Sequence, residues 1–206
     1  MMNALIYIMD PMCSWCWAFV PELQTVRSRF TKLPVSFIMG GLAPDSTDPM
    51  DAGLARQIQA TWQQIEDRTG TVFNHDFWTQ NSPRRATYDA CRAVIAATRI
   101  RPDTQEAMID AIQRGYYLQA KNPSDKEVLI EMAQQIGLEA ELFGQYLGDD
   151  MTQGMLQQHL AIKGSLGVQG FPTLLLQQGE ELHWLSTGYR QADGIIAQLE
   201  KLTGEH

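Results

Sequence analysis

The chain is short of cysteine, of positive charge and of long apolar runs. Three cysteines occur in 206 residues. That is too few for a disulfide-stapled scaffold, and a chain of this length can bury a core without staples. Lys plus Arg numbers 16 against 24 Asp plus Glu, a formal net charge of −8. Such a chain repels phosphate backbones and anionic lipid heads, so neither nucleic acid nor a membrane surface is expected as a main partner. The local basic pair Arg84–Arg85 reads as solvated charge at a helix start. No stretch approaches the 18 uninterrupted apolar residues of a spanning helix. The opening MMNALIYIMDPMC has no basic segment, and its apolar run is too short and too early for a secretory signal. A cytoplasmic location is the expectation. His75, His159, His183 and His206 are scattered, with neither an H-x3–5-H pair nor a second C-x-x-C, so no metal site is expected. Repeats and low-complexity tracts are absent, and 44% hydrophobic with 19% charged residues is the composition of a globular protein.

Against that scarcity, Cys13 and Cys16 stand three apart in DPMCSWCWAF, with Ser14 and Trp15 between them and Trp17 after. The apolar run Ala4–Met9 before them reads as a buried strand. After them, Phe19, Leu23, Val26 and Phe30 recur at helical spacing, and Pro21 inside that helix predicts a kink, since an interior proline costs about 3 kcal/mol. LPVSFIMGG reads as a second strand ended by Gly40–Gly41. Strand, turn, helix and strand make one βαβ crossover with parallel strands.

From Pro44 to Lys163 the pattern is helical. It includes a helix closed by Gly70, one opened by Ser82–Pro83, one from Asp103, two separated by Gly137, and a last one weakened by Gly154. FPTLLLQ and ELHWLST then read as strands joined by a hairpin turn, and QADGIIAQLEKLTG as a closing helix. The expected fold is α/β: residues 1–43 and 164–206 form one domain of order βαβ…ββα, interrupted by an all-helical insertion over 44–163.

The chemistry of the pair follows from its place. A cysteine at a helix N-terminus has its thiolate stabilised by unpaired N–H groups and the helix dipole. Cys13 is in that position, and Cys16, one turn along, can attack a mixed disulfide formed by Cys13. A zinc site lacks further ligands, and a structural staple does not suit a reducing compartment. Cys91, among Tyr88, Val94 and Ile95 at helical spacing, reads as a buried structural thiol. Trp17 is expected to face the core and Trp15 to flank the sulfurs and contact substrate. Trp62, Trp78 and Trp184 are expected in packing, and Met9 and Met12 as core filling. Asp10 would oppose thiolate formation at Cys13 if it lay close.

YIMDPMCSWCWAFVPEL resembles the active-site strand, turn and kinked helix of the thioredoxin superfamily, and GVQGFPT resembles its cis-proline loop. The helical insertion between them resembles the DsbA family, and EVLIEMAQQIGLEAELFGQYL with KGSLGVQGFPTLLL resembles its cytoplasmic, FrnE-like branch. The resemblance covers essentially the whole chain. It implies a thiol–disulfide oxidoreductase or isomerase with Cys13 and Cys16 catalytic, and with Ser14, Trp15, Phe171, Pro172 and Thr173 on substrate. It also implies a cis Phe171–Pro172 bond beside the sulfurs, and protein or small-molecule disulfides and dithiols as substrates. No cofactor is implied beyond a redox-active Cys13–Cys16 disulfide, with glutathione admitted as a co-substrate. Monomer and homodimer both remain open. Where periplasmic DsbA proteins carry Pro-His between the cysteines, this chain has Ser14–Trp15, which cannot carry positive charge, and a weaker oxidant is expected. Two further readings stand beside this one. A glutathione-dependent isomerase or transferase of the kappa-class type generally has serine where this chain has Cys13. A binding module could use the pair to sense oxidants.

Overall fold

In a computed structural model, residues 3–204 are described, and His206 lies outside them. Strands β1 (Ala4–Met9), β2 (Val35–Met39), β3 (Thr173–Gln178) and β4 (Glu181–Thr187) form one sheet in the order β2-β1-β3-β4. β1 pairs parallel to β2, as the crossover predicts, and antiparallel to β3, which pairs antiparallel to β4. The first and last parts of the chain therefore share one sheet. The register Met9↔Met39, Ile8↔Thr173 and Thr173↔Thr187 brings the ends of β1, β2 and β4 and the start of β3 to one end of it.

Alternation along the strands gives the sheet two apolar faces. Leu5, Tyr7, Met9, Phe37, Met39, Leu174 and Leu176 join the main core, while Ile8 and Leu175 join Val168 in a smaller cluster with Ile6 and Ile38. Each fully buried side chain of this size contributes about 1.5–3 kcal/mol. One extra residue, Leu185, interrupts the β3–β4 register, because Leu174 pairs with Ser186 and Leu175 with Trp184. Such a bulge re-aims the side chains beside it. Trp184 is 42% exposed, a correction to its expected packing role.

The helix after the cysteines is two helices. α1 (Ser14–Ala18) ends at Phe19, and α2 (Val20–Arg29) begins there with Pro21 in its first turn. The predicted kink is thus a break two residues before the proline. Pro21 has no N–H for the carbonyl one turn back, so the chain restarts the helix where a proline is tolerated.

Helices α3 (Ala52–Thr69), α4 (Phe77–Gln80), α5 (Tyr88–Ile100), α6 (Gln105–Leu118), α7 (Lys126–Gln135), α8 (Ala140–Gly148) and α9 (Asp150–Ser165) fill the chain between β2 and β3, and α10 (Ala192–Thr203) follows β4. Asp51 caps α3 through the N–H groups of Gly53 and Leu54, and left-handed Gly70 closes it as expected. Ser82–Pro83 does not open α5, which starts at Tyr88. The Pro83 carbonyl instead accepts from Met50 N–H, and Arg84 bridges to Pro49 and binds Asp125. Arg84 is therefore a paired side chain in an extended segment, not free charge at a helix start. Trp62, fully buried, centres an aromatic cluster of Phe73, Phe77, Trp78, Tyr116 and Tyr117. Met9 and Met12 are buried, as read. No described helix is long and apolar enough to cross a membrane.

Candidate active site

β1 delivers the chain to the functional end of the sheet, and α1 starts there. Cys13 is the N-cap of α1, with extended backbone (φ −85, ψ 116). Its carbonyl accepts from Cys16 N–H (2.9 Å) and Trp17 N–H (3.1 Å), and its own N–H donates to the Asp10 carbonyl (3.0 Å). A residue there leaves first-turn N–H groups near its side chain. Cys13 and Cys16 are both thiols in the structure. Cys13 retains 7% exposure and Cys16 none. Burial pushes the Cys16 thiol well up, and its hydrogen bond to Cys13 and the Cys13 charge add to that. Hydrogen bonds from the Asp10 backbone and the Tyr7 hydroxyl oppose the rise.

The downstream segment meets Cys13 directly. The Phe171–Pro172 bond is cis, and the Cys13 thiol donates to the Phe171 carbonyl at 3.8 Å. The Phe171 ring lies where a side chain on Gly40 would be, and the place of Gly41, at φ +59, is closed by Leu160 and Tyr88. The glycine pair that reads as a strand end is thus also the seat of the loop opposite Cys13. Phe171, Thr173, Trp184 and Thr187 line an open hollow of about 650 Å³.

Other expected site residues take different places. Ser14 opens α1 and is half-buried. The Thr173 hydroxyl donates to the Gly170 carbonyl (2.8 Å), within the loop that precedes β3. The Trp15 ring faces Tyr189, 5.7 Å between centroids, and the Arg68 guanidinium, at 5.5 Å. Trp17 is only half-buried: its ring stacks on Tyr117 at 16° and its indole N–H donates to the Val72 carbonyl (3.2 Å).

Asp10 sits beside the cysteine turn with its side chain fully engaged. Its carboxylate is wholly buried and accepts from Met12 N–H (2.8 Å), Leu42 N–H (2.6 Å), the Thr87 hydroxyl (2.6 Å) and the Cys91 thiol (3.7 Å). Burial raises its pKa against all four bonds. Burial, then the Asp10 charge, pushes the Cys91 thiol well up. Cys91 is fully buried, as read.

Tyr7, Gly40, Arg68 and Tyr189 carry no local sequence signal for the site. Tyr7 could have been found only as the inward residue of β1 aligned with the helix start; burial, then Cys16, drives its phenol well above the usual range. Among the described residues no group of three or more His, Cys, Asp and Glu could hold a metal ion.

Several known proteins share this architecture. A structure from Nitrosomonas europaea, provisionally assigned as a protein disulfide isomerase, superposes with a TM-score of 0.89 over 100% of both chains at 26% identity. The cytosolic disulfide reductase DsbM from Pseudomonas aeruginosa superposes with a TM-score of 0.80 at 27% identity, over 98% of this chain and 100% of that one; a second structure of it contains GSH. The ClpXP adapter protein SpxH of Bacillus subtilis is 25% identical over 167 residues, 80% of this chain. The match spans 55% of that relative's length. The family model of the DSBA-like thioredoxin domain matches residues 5–195, and the chain belongs to that family.

Proposed function

We propose that the chain is a thiol–disulfide oxidoreductase in which Cys13 attacks and Cys16 resolves, working toward reduction or isomerisation of protein or small-molecule disulfides in a reducing cytosol. The observation that carries this is the asymmetry of the two thiols. Cys13 is the one with exposed surface, at a helix start and against the Phe171 carbonyl, while Cys16 is closed off behind it. Attack on a substrate needs access, whereas resolution is intramolecular. The Cys13 thiolate displaces one sulfur of the substrate disulfide, which leaves as a thiolate, and Cys13 is joined to the other. The Cys16 thiolate then attacks the Cys13 sulfur, expelling the second substrate thiol and forming Cys13–Cys16. Two external thiols reduce that disulfide and complete the cycle.

Ser14, Trp15, Phe171, Pro172 and Thr173 form the substrate contact in this reading, and residues 44–163 are an insertion domain on a 1–43 plus 164–206 core. A dipeptide without a cation removes one stabiliser of the Cys13 thiolate. The potential should therefore be more reducing than the roughly −120 mV of a strong periplasmic oxidant. The likeness to DsbM, a cytosolic reductase, supports the direction and the compartment.

The test is a thiol-coupled disulfide reductase assay with two variants. Cys13→Ser should abolish turnover, and Cys16→Ser should accumulate a mixed disulfide on Cys13, visible as a mass increment. Full turnover by Cys13→Ser would overturn the reading. The likeness to SpxH favours a second reading, an adapter that binds a protein partner through this face. Binding without catalytic turnover of any disulfide would favour it over the first.

A further inference from the structure

We propose that Arg68 and Lys163 select disulfides that carry a carboxylate close to the reacting sulfur, an inference that rests on the oxidoreductase reading above. The chain holds 24 acidic against 16 basic residues, and among the described residues seven of the 16 pair with a carboxylate, Lys121 with Glu131 among them. Arg27, Arg29, Arg84, Arg92, Arg99 and Arg101 each meet one. Arg68 meets none among the described residues. Its guanidinium instead lies over two rings, Trp15 at 5.5 Å and Tyr189 at 5.6 Å from the centroids. Trp15 is one of the two residues between the cysteines.

The Tyr189 ring beneath Arg68 is itself held in place by a carboxylate. Glu22 accepts from the Tyr189 hydroxyl with one oxygen and from Ala192 N–H with the other, both at 2.7 Å. That arrangement fixes the Tyr189 ring beneath the guanidinium. A guanidinium stacked on aromatic faces keeps its N–H edge free, and that edge matches a carboxylate in a two-point fork. Stacking also restrains the long side chain beforehand, so less freedom is lost when an anion binds.

Lys163 is a second cation of this kind. Its ammonium lies 5.6 Å from the centre of the Phe171 ring, and the Phe171 carbonyl is the group that the Cys13 thiol touches. Lys163 also has no carboxylate partner among the described residues. The end of α9 suits a cation through the helix dipole, but the ring contact is what ties it to the site. Phe171 packs against both apolar clusters of the sheet, while Trp15 and Tyr189 pack only against the main one. The two cations thus sit over different rings, and a substrate with carboxylates on either flank of its disulfide could meet both. No bond changes beyond those of the exchange itself; the cations act on binding.

The experiment compares kcat/KM for three small disulfides: anionic glutathione disulfide, uncharged hydroxyethyl disulfide and cationic cystamine. The ratio of glutathione disulfide to hydroxyethyl disulfide should fall about tenfold in Arg68→Met, the size of one lost charge-assisted hydrogen bond. It should fall further in Arg68→Met/Lys163→Met, with the loss in KM rather than kcat. Arg68→Lys should restore part of it. In the unsubstituted protein the preference for glutathione disulfide over cystamine should shrink as salt rises. An unchanged ratio, or an equal loss on all three disulfides, would overturn the inference. Cys13→Ser separates the two levels. If it abolishes hydroxyethyl disulfide reduction while the charge variants keep the ratio, only the selection fails. If it leaves that reduction intact, the oxidoreductase reading fails first.

Discussion

Cys16 must lose its proton to close the pair, and its complete burial opposes that. The Tyr7 hydroxyl is one of the groups that works the other way, by a hydrogen bond that favours the thiolate. Tyr7→Phe keeps the ring and removes that bond. The expected outcome is a resolving step slowed about tenfold, for a hydrogen bond to a charged group, with the first attack by Cys13 keeping its rate. Stopped-flow release of two chromogenic thiols separates the steps, and equal slowing of both would contradict the role. Gly40 makes a different argument. Any Cβ there would overlap the Phe171 ring. Because Phe171 is only half-buried, the ring can swing outward, so Gly40→Ala should cost less than about 1.5 kcal/mol of stability. The loop would lose its seat beside Cys13, and exchange should slow severalfold. Paired measurements of Tm and turnover check this; a normal rate would show that the ring position is immaterial. At this scale the cysteine pair was legible because its meaning lies in a three-residue spacing. Tyr7, Gly40 and Arg68 were not, since each acquires its role from a neighbour far away in sequence.

Among the elements, β2 is an outer strand whose exposed backbone needs cover. α9 supplies it: Met39 N–H donates to His159 Nδ1 at 3.0 Å. Burial lowers the pKa of this imidazole below its ordinary value, so the folded chain holds it neutral, as an acceptor must be. As pH falls below about 6.5, the ordinary histidine value, the unfolded chain takes up a proton that the folded chain refuses. Stability from this group is therefore full above that pH and is lost as pH falls through the depressed folded pKa. His159→Asn offers a carbonyl oxygen in place of Nδ1 and should flatten the difference in urea midpoint between pH 7.5 and pH 5. An unaltered difference would assign the pH dependence elsewhere. Element order followed from periodicity and turn residues, as Gly70 at the end of α3 illustrates, whereas the Asp51 cap at its start emerged only in the structure. The ends set by tertiary bonds did not. Ser82–Pro83 has the local form of a helix start, but Met50 and Asp125 hold that segment extended.

For the molecule as a whole, Asp10 joins the sheet to the helices. It gathers donors from beside the cysteines (Met12), from beyond β2 (Leu42) and from the start of α5 (Thr87, Cys91). One continuous core also runs from Leu5 through Cys16 and Trp62 to Leu199. The division of the chain into 1–43, 44–163 and 164–206 follows the change of pattern, and this shared interior was hidden because pattern does not report which faces meet. Asp10→Ala strands at least one buried N–H, while Thr87 and Leu42 can still pair with each other. The cost should be about 2–4 kcal/mol. Far-ultraviolet and near-ultraviolet circular dichroism should show one coincident, lowered transition. Two separate transitions would mean that the sheet and the helices melt independently.

Cys91 keeps time for that event. It is sealed beside Asp10, whereas Cys13 reaches solvent. A thiol reagent added to the native protein meets Cys13 first, while Cys16 and Cys91 are both fully buried; with Cys16 replaced by serine the late signal is that of Cys91 alone, available only when the contact between sheet and helices has parted. Its modification is a clock for opening, wound into the chain by its third cysteine.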